Sequence, residues 1–335
     1  MKRRDFPEYL AAYLTSYLPL QQGASVNTIK SYRDSFTIFL RYCRDDQHIK
    51  PETLTMQMIS RKLVEEYLLW LEQEHKCGAS TCNHRLAVLQ AIMRYVSAEG
   101  PEHLSVCSAV LSIKSKRTAK KTIDFLTIEE LKNIFTQPDV KTAGGKRDLA
   151  ILTLLYDSGT RVQEIIDLKL GDVHLASPAT VKLCGKGNKA RIVPIMPETA
   201  KFVSDYTKAF DLVAPESQLF KGRIDGKFSR SGIEFVISKY VKAAAVDFVS
   251  LSGKKVAPHV FRHSKAMHLI QAGVNIVYIR DLLGHVSVQT TEVYAKADSE
   301  AKRKALVAAS KNILPASKYS VQKKSELLDW LKHMV

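Results

Sequence analysis

Six residues in the second half of the chain could together carry out phosphoryl-transfer chemistry. They are two arginines, a lysine, two histidines and a tyrosine: Arg161, Lys186, His259, Arg262, His285 and Tyr294. Guanidinium groups can hold the non-bridging oxygens of a phosphodiester, and histidine or lysine can transfer protons. A tyrosine hydroxyl can attack phosphorus. This combination can therefore break and rejoin a phosphodiester bond without a metal ion.

The first arginine stands at a predicted helix start. Gly159 ends one buried helical pattern, and Thr160 and Gln163 have the types and spacing of a reciprocal cap for the next. This places Arg161 in the first turn. There the guanidinium and the amino end of the helix can face the same anion.

The lysine lies in a predicted hairpin connection. Thr180 to Leu183 and Arg191 to Ile195 have the composition of strands, and they flank Gly185-Lys186-Gly187-Asn188. Lys186 is therefore expected at the tip of the hairpin. A lysine in a turn commonly serves only solubility, and this segment alone favours that interpretation over a catalytic role.

The remaining candidates follow one another over 36 residues. His259 and Arg262 are three residues apart, so one helix face presents both side chains. His285 comes directly after a predicted helix end at Leu-Leu-Gly, and Ser287 is expected to cap a short helix that carries Tyr294. Each residue alone has an ordinary structural explanation, and only the ordered set points to a common site.

The charge of the chain favours a polyanionic partner. Its 335 residues carry 50 Lys and Arg against 34 Asp and Glu, a formal net charge of +16. Such a charge favours nucleic acid above other partners. Residues 114–122 hold five cations and no acidic residue, which is typical of a linker that lies against phosphates. A solvated tether explains the same run equally well.

The sequence predicts two domains and a mainly α fold with a small antiparallel β-sheet (α+β). Residues 1–113 are predicted to form a helical bundle, and Asn27 is expected to cap one of its helices. Residues 123–335 are predicted to form the second domain, in which Thr127 and Glu130 have the spacing of a capping box. Cations of the first domain and of the linker are candidates for DNA contact, although they could equally be solvated: Lys30, Arg33, Lys116, Arg117, Lys120 and Lys121.

No metal, cofactor or membrane site is expected. His75, Cys77, Cys82 and His84 superficially resemble a zinc site, but the last two lead into an amphipathic helical pattern and no second ligand pair follows. The five cysteines have no regular spacing, which suits reduced thiols in the cytosol. Neither a secretory signal nor an apolar spanning stretch is present. A cytoplasmic, nucleoid-associated protein is expected.

Residues 123–296 resemble the catalytic domain of the tyrosine recombinases, the family of lambda integrase, Cre and Xer. The family pattern is an arginine, a hairpin lysine, His-x-x-Arg, a histidine or tryptophan, and a tyrosine, and this chain fills every position in that order. Residues 1–113 resemble the helical core-binding domain of the family. Gln163 and Asp167 lie where the arginine motif often varies, and the sequence assigns them no role.

The resemblance implies roles for the six residues. Tyr294 would attack phosphorus and form a 3′-phosphotyrosyl bond, and Arg161 and Arg262 would clamp the transition-state charge. His285 would hydrogen-bond the scissile phosphate. The resemblance further implies that His259 transfers a proton to or from Tyr294 and that Lys186 protonates the departing 5′-oxygen.

The resemblance also implies partners: double-stranded DNA at a specific recombination site and a homo-tetramer in the synaptic complex. It is compatible with accessory DNA-binding proteins. Ser325 to Lys332 has an apolar helical stripe that would dock on a neighbouring protomer, or pack on its own domain. The chain begins directly with the core-binding helices, so no preceding arm-binding domain is expected. An integrase or transposon recombinase of a mobile element is favoured over a Xer-type resolvase. A type IB topoisomerase-like enzyme, a non-catalytic DNA-binding factor and a basic helical adaptor are the weaker alternatives.

Overall fold

The computed structural model describes residues 4–118, 123–185, 189–222, 226–285 and 287–297. The chain divides into two compact units, residues 1–121 and 122–335. Within the described residues, both units are mainly helical and the second contains a small sheet. The predicted fold class, mainly α with a small antiparallel sheet, is confirmed. None of the described helices is long and apolar enough to cross a membrane.

The first unit is a bundle of helices around an aromatic core. Its helices are α1 (Phe6–Ala12), which continues as a π-helical segment (Tyr13–Gln21), α2 (Val26–Asp45), α3 (Arg61–Gln73), α4 (Ala79–Glu99) and α5 (Leu104–Leu111). Short 3-10 turns cover Pro51–Thr53, Met56–Met58 and Pro101–His103. Phe39, Tyr42 and Tyr67 are almost completely buried and pack ring against ring at 5.1 and 5.4 Å between centroids. Burial of these large side chains supplies much of the apolar area that stabilises the bundle.

The N-terminal cap of α2 differs from the sequence-based expectation. The prediction that Asn27 caps this helix is wrong, since Ser25 has the extended backbone of a capping residue and its Oγ accepts from the backbone nitrogen of Thr28 at 3.2 Å. Asn27 instead lies inside the first turn. Serine and asparagine both favour the cap position, so composition alone could not choose between them.

The second unit places three strands between groups of helices. Its elements are α6 (Ile128–Thr136), α7 (Ala143–Asp157), α8 (Val162–Asp167), β1 (Val173–His174), β2 (Thr180–Cys184), β3 (Ala190–Pro194), α9 (Pro197–Ala209), α10 (Arg230–Ala244), α11 (Pro258–Gln271), α12 (Ile276–Leu283) and α13 (Val288–Ala297). Two 3-10 turns cover Leu170–Asp172 and Val249–Leu251. The strands form an antiparallel sheet in the order β1-β2-β3.

The helix α7 is the centre of the main core of this unit. Leu149 to Leu155 are all buried, including Thr153, whose hydroxyl donates back to the Leu149 carbonyl. Gly159, with φ of 57°, ends this run and turns the chain toward α8. The predicted capping box of Thr127 and Glu130 is confirmed at the start of α6.

A second, smaller core fixes the last described helices. Ala266 and Met267 of α11, Ile279 and Leu283 of α12, and Tyr294 of α13 form one buried cluster. Because these three helices share apolar contacts, the residues at their ends are held in fixed relative positions. The candidate functional site lies at the ends of these three helices.

Candidate functional site

Three consecutive carbonyls at the end of α12 each accept a hydrogen bond from a different arginine. The pairs, with their N···O distances, are Arg191 with Leu282 (2.9 Å), Arg262 with Leu283 (2.6 Å) and Arg161 with Gly284 (3.1 Å). The last carbonyls of a helix have no partner within the helix and carry partial negative charge. The helix end therefore gathers three guanidinium groups from α8, β3 and α11. We call Arg161, Arg191 and Arg262 the arginine cluster.

Arg161 is itself the N-cap residue of α8. Its backbone nitrogen donates to Glu164 Oε2 at 2.9 Å, and the Thr160 hydroxyl donates to the same oxygen at 3.1 Å. The prediction that Thr160 caps this helix with Gln163 as its reciprocal partner is therefore wrong. The helix starts one residue later, and Gln163 donates instead to Asp167 at 2.8 Å. This shift directs Glu164 inward.

Glu164 is the buried anion of the site. Its carboxylate accepts from Nη1 and Nη2 of Arg191 at 2.9 and 2.8 Å and from Nη1 of Arg161 at 2.8 Å. Burial alone would raise the pKa of this carboxyl, but the hydrogen bonds from Arg191 and Arg161 outweigh it and lower the pKa to about 2. Glu164 is therefore ionised at neutral pH and orients two of the three arginines.

Arg262 is the most deeply buried cation of the site, with 6% of its surface exposed. Its Nη1 donates to the Gly159 carbonyl at 2.6 Å, and its Nη2 donates to Leu283 as described. Burial, with a contribution from nearby Arg161, lowers its pKa to about 10, so it stays charged at pH 7. A guanidinium has five N–H donors, so two carbonyls leave donors for an anion.

A cleft of about 330 Å³ lies beside this arginine. Its lining includes Arg161, His259 and Arg262. His259 is exposed there, one residue after Pro258 begins α11. Arg230 and Glu234 also line it. The cleft thus brings together three guanidiniums, one imidazole and one carboxylate, and this surplus of positive charge suits the binding of a phosphate group.

Tyr294 lies in this site and contacts a residue that the sequence-based reasoning missed. Its hydroxyl is 2.7 Å from Nδ1 of His263, and the tyrosine is 5% exposed. Burial raises the pKa of this hydroxyl, while the positive charges of Arg262 and Arg161 oppose the rise. His263 directly follows Arg262, and its position one turn after His259 is the only signal in the sequence that could have suggested it.

His285 also lies beside the tyrosine. Its ring is nearly parallel to that of Tyr294, with 6.4 Å between centroids, and its Nδ1 is 2.9 Å from the Thr291 hydroxyl. Burial, together with the charges of Arg262 and Arg161, lowers the pKa of His285 to about 4. This histidine is therefore neutral at pH 7 and can donate a hydrogen bond through one ring nitrogen.

The backbone around the site requires glycine at two positions. Gly159 and Gly284 have φ of 57° and 62°, in the left-handed region that L side chains rarely adopt. A Cβ at Gly284 would also lie 2.9 Å from Nη1 of Arg191. The carbonyls of both glycines accept hydrogen bonds from the arginine cluster, Gly159 from Arg262 and Gly284 from Arg161. The left-handed backbone at these positions therefore helps to place the two arginines.

Five of the six predicted residues of the catalytic set come together in the described structure: Arg161, His259, Arg262, His285 and Tyr294. Lys186 lies outside the described residues. The last described residue before it, Gly185, donates from its backbone nitrogen to the Lys189 carbonyl at 2.9 Å. A Cβ at Gly185 would lie 3.3 Å from Glu164 Oε1. This end of the hairpin is therefore beside the arginine cluster.

The candidate DNA contacts of the first unit have mixed surroundings. Lys30 is exposed and lines a cleft with Asn27 of α2 and with Ser80, Thr81 and His84 of α4. Arg33 is exposed but pairs with its neighbour Asp34 at 2.8 Å. These positions leave Lys30 freer than Arg33 to meet a phosphate.

The candidates in the linker differ in the same way. Lys116 pairs with Glu72 of α3 at 2.6 Å, and Arg117 is exposed. Lys120 and Lys121 lie outside the described residues. Of the two described linker candidates, Arg117 is therefore the more available to a phosphate.

Two members of the zinc-like cluster, His75 and Cys82, pack against other parts of the first unit. The ring of His75 packs against Trp70 at 4.2 Å between centroids, and Cys82 is buried in the first core. Among the described residues, no group of three His, Cys, Asp or Glu side chains is arranged to hold a metal ion.

Two family models match this chain. The model of the phage integrase family matches residues 124–301, and that of the phage integrase N-terminal SAM-like domain matches residues 11–100. A putative integrase/recombinase of Sinorhizobium fredii is 32% identical over 309 residues, covering 92% of this chain and 93% of that protein. The tyrosine recombinase XerC of Thermodesulfovibrio yellowstonii is 28% identical over 296 residues, covering 85% of this chain and 92% of that protein.

The fold has solved counterparts. A lambda integrase tetramer bound to a Holliday junction matches with a TM-score of 0.61 and 16% identity, over 90% of this chain and 77% of that one. The fold, the family models and the relatives agree. The chain belongs to the phage integrase family and is a tyrosine recombinase, an enzyme that breaks and rejoins DNA.

Proposed function

We propose that this enzyme is a site-specific recombinase in which Tyr294 attacks the scissile phosphate and forms a 3′-phosphotyrosyl intermediate. The observation that carries the proposal is the position of Tyr294, buried beside His285 and under the influence of Arg262 and Arg161. A tyrosine hydroxyl, with an ordinary pKa near 10, needs cations to become a nucleophile. The arginine cluster provides them.

Arg161 and Arg262 bind the two non-bridging oxygens of the phosphate. Negative charge on these oxygens grows as phosphorus becomes five-coordinate, and fixed guanidinium donors stabilise it more in the transition state than in the ground state. Both arginines are held by backbone carbonyls, so they need little rearrangement to accept the charge. Arg191 neutralises Glu164 and so keeps that carboxylate from repelling the phosphate.

The remaining members act on the phosphate and on protons. His285 donates a hydrogen bond to the phosphate, His259 takes part in proton transfer at the cleft, and Lys186 protonates the departing 5′-oxygen. The phosphotyrosyl bond conserves the energy of the broken phosphodiester, so the 5′-hydroxyl of a partner strand can reverse the reaction without a cofactor.

We propose that DNA contacts are divided along the chain. Residues 1–113 form a core-binding domain, residues 114–122 a basic linker and residues 123–335 the catalytic domain. Lys30, Arg33, Lys116, Arg117, Lys120 and Lys121 contact phosphates of double-stranded DNA at the recombination site. The exposure of Lys30 and Arg117 supports this proposal, as does the surplus of positive charge. The enzyme meets this DNA in the cytoplasm, in association with the nucleoid.

Recombination requires four cut strands, and we propose a homo-tetramer around two duplexes. The lambda integrase counterpart is a tetramer bound to a Holliday junction, which supports this stoichiometry. Residues 316–335, which lie outside the described residues, contain the segment proposed to dock on a neighbouring protomer. Deleting them should leave cleavage at a single site intact and reduce synapsis, while unchanged recombination would refute the docking.

Within the family, we propose an integrase or transposon recombinase of a mobile element. The relative from Sinorhizobium fredii, a putative integrase/recombinase, supports this assignment. A Xer-type resolvase is the second candidate, because XerC of Thermodesulfovibrio yellowstonii is similar over nearly the same span. Excision of a marked element between its own ends supports the first candidate, and resolution of plasmid dimers at a chromosomal site supports the second. The same assays, carried out with and without cell extract, show whether accessory DNA-binding proteins are required.

A nicked suicide substrate carrying the cognate site tests the chemistry. Cleavage releases a short strand that cannot religate, so the covalent protein–DNA product accumulates. Tyr294→Phe should abolish this product while DNA binding persists. An equal yield from Tyr294→Phe would refute Tyr294 as the nucleophile.

A further inference from the structure

Thr291 is a completely buried threonine whose hydroxyl contacts a histidine of the site. It lies on α13, three residues before Tyr294. Its Oγ1 is 2.9 Å from Nδ1 of His285, which follows Gly284, the C-cap residue of α12. Helix α13 therefore carries two hydroxyls of the site, that of Tyr294 and the one that contacts His285.

We propose that Thr291 is a positioning residue that holds His285 in the tautomer with its proton on Nε2. In this tautomer Nδ1 accepts a hydrogen bond from the Thr291 hydroxyl, and the N–H group at Nε2 is free to donate to the scissile phosphate. The inference rests on the proposed function, in which His285 donates to that phosphate. Thr291 acts through the histidine and not on the phosphate itself.

The direction of the hydrogen bond follows from the burial of Thr291. A threonine or serine inside a helix commonly donates to the carbonyl one turn earlier, as Thr153 and Ser264 do in α7 and α11. The hydroxyl of Thr291 contacts Nδ1 of His285 instead. If Nδ1 carried a proton, the buried hydroxyl hydrogen would have no acceptor among the described residues, which is unfavourable. The hydroxyl therefore donates and Nδ1 accepts.

The choice of tautomer matters because the ring of His285 is neutral at pH 7. Burial first, and then the charges of Arg262 and Arg161, lower its pKa to about 4. A neutral imidazole has one N–H donor and one lone pair. The hydrogen bond at one nitrogen decides which of the two the other nitrogen presents. With the proton on Nδ1, Nε2 would present a lone pair to a phosphate oxygen and would repel it.

The same helix therefore positions the nucleophile and the donor to the phosphate. Thr291 and Tyr294 are three residues apart, so they lie on neighbouring positions of one helix face. The rings of His285 and Tyr294 are nearly parallel, with 6.4 Å between centroids. Because Tyr294 packs in the small core with α11 and α12, the seating of α13 in that core brings both hydroxyls into place together.

Substitutions at position 291 separate the hydroxyl from the shape of the side chain. Thr291→Val keeps the shape and removes the donor. We expect cleavage of the nicked suicide substrate to slow by about 10-fold, a loss typical of a partner that orients a functional histidine, while DNA binding is unchanged. Thr291→Ser keeps the donor and should retain most of the wild-type rate.

Thr290→Val is the matched control. Thr290 is the neighbouring threonine on the same helix, but it is exposed. The same chemical change at this position should leave the cleavage rate unchanged. Thermal melting of each variant establishes that it is folded.

A double-mutant cycle shows whether Thr291 acts through His285. In a chain that already carries His285→Asn, the ring that Thr291 orients is gone. Thr291→Val should therefore cause little further loss of cleavage rate in that chain. A threonine that only filled space in the core would cause the same loss with or without the histidine.

Nitrogen-15 NMR of labelled histidine measures the tautomer in the wild-type protein, without a substitution in the site. The signals of His285 are identified by their absence from the spectrum of His285→Asn. At pH 7 we expect the proton on Nε2 and an unprotonated Nδ1. In Thr291→Val the Nδ1 signal should move, because this nitrogen has lost its hydrogen-bond donor.

The proposal is overturned by a proton on Nδ1 of His285 in the wild-type protein, or by cleavage at the wild-type rate in Thr291→Val. It is also overturned if Thr291→Ser is as slow as Thr291→Val, or if the losses from Thr291→Val and His285→Asn simply add, since both results assign Thr291 to packing alone. Covalent product from Tyr294→Phe would instead refute the proposed function. The NMR measurement does not involve Tyr294 chemistry, so the two failures are distinguishable.

Discussion

Glu164 and Arg191 are joined by two parallel hydrogen bonds, from Nη1 to Oε1 at 2.9 Å and from Nη2 to Oε2 at 2.8 Å. The pair connects α8 to β3 and is almost entirely buried, with 4% of the glutamate side chain and 12% of the arginine side chain exposed. Arg161 donates to the same carboxylate. One anion therefore orders two cations, and the remaining surplus of positive charge faces the cleft.

Removing the charge of Glu164 should destabilise the second unit. In Glu164→Gln the side chain loses its charge, and one of the two oxygens, each of which accepts at least two hydrogen bonds, is replaced by an NH2 group that can only donate. An uncompensated buried cation costs about 3–5 kcal/mol. We expect a loss of this size in the free energy of unfolding, measured by urea denaturation, together with loss of DNA cleavage. Asp167→Asn is the control, because Asp167 lies on the same helix but is exposed, where it pairs with Lys227. Equal effects of the two substitutions would contradict the central role of Glu164.

Gly284 should tolerate a methyl group worse than Gly273 does. Both residues have positive φ, 62° and 79°, so alanine is strained at either position. At Gly273 the Cβ would meet nothing within 4 Å, whereas at Gly284 it would lie 2.9 Å from Nη1 of Arg191, a side chain held by three hydrogen bonds. Gly284→Ala should therefore lower the free energy of unfolding by more than Gly273→Ala, and it should also slow cleavage. A comparison of the two denaturation curves decides the matter, and curves that coincide would show that Arg191 yields without cost.

The protein should become less stable as the pH is lowered, because of His263 and His285. The pKa of each is lowered to about 4 in the folded protein, against about 6.5 for an ordinary histidine. Between these values the unfolded chain binds more protons, so the free energy of unfolding decreases as pH drops from about 6.5 to about 4. Urea denaturation from pH 7 to pH 4.5 measures this slope. His285→Asn should flatten it, whereas His174→Asn, at an exposed position on β1, should not.

Glu164 should act in a different pH window. Its folded pKa of about 2 lies below the value of 4.5 that an unperturbed glutamate would have, so its contribution to stability is complete above about 4.5. This contribution is lost progressively as the pH falls from about 4.5 through about 2. The slope of Glu164→Gln between pH 7 and pH 4.5 should therefore match that of the wild type, and a flatter slope would contradict the assigned pKa.

Arg262→Lys should impair catalysis far more than DNA binding. A lysine carries its three N–H donors on one nitrogen, which cannot occupy the separate positions from which Nη1 and Nη2 reach the carbonyls of Gly159 and Leu283. We expect a fall in the cleavage rate by about 10²–10³-fold and an almost unchanged Kd for the site. Arg280→Lys is the control, since the side chain of that arginine on α12 pairs with its exposed neighbour Asp281. A similar loss of cleavage rate in both variants would show that replacing any arginine by lysine has this effect, and would contradict the specific role of Arg262.

Lys30→Ala should reduce the salt dependence of DNA binding. A lysine that neutralises one phosphate contributes about one unit to the slope of log Kd against log salt. Lys62→Ala is the comparison, because Lys62 is an exposed lysine of α3 that pairs with Glu66 at 3.7 Å. Fluorescence anisotropy at several salt concentrations measures both slopes. An identical slope for Lys30→Ala and the wild type would remove Lys30 from the interface.

Local patterns in the sequence predicted the elements of the site well. Gly284 ends α12 in the left-handed conformation, in agreement with the helix end predicted at Leu-Leu-Gly. The prediction that Thr160 is the N-cap of α8 is wrong by one residue, since the N-cap is Arg161. The Thr160 hydroxyl donates to Glu164 and does not accept from the backbone of the helix. A choice of this kind depends on which side chain is buried, and spacing alone does not reveal it.

Contacts between distant segments could not be predicted in the same way. Arg191 lies 27 residues from Glu164 and 91 from Leu282 along the chain. Alternation along β3 gives no sign of either partner. His263 was missed because the family pattern draws attention to His259, while the contact to Tyr294 depends on how α11 and α13 pack together. Tertiary packing selected these partners.

The three carbonyls at the end of α12 have a consequence for the newly made chain. Arg161 leaves the ribosome 123 residues before its acceptor at Gly284, and Arg191 leaves 91 residues before Leu282. Until residues 282–284 have emerged, the carbonyls that hold these guanidiniums in the folded protein do not exist. A polypeptide interrupted before this point holds most of the required side chains but cannot arrange them. The arginine cluster can therefore form only after residues 282–284 have been made, so we expect cleavage activity to arise late in the synthesis of this domain.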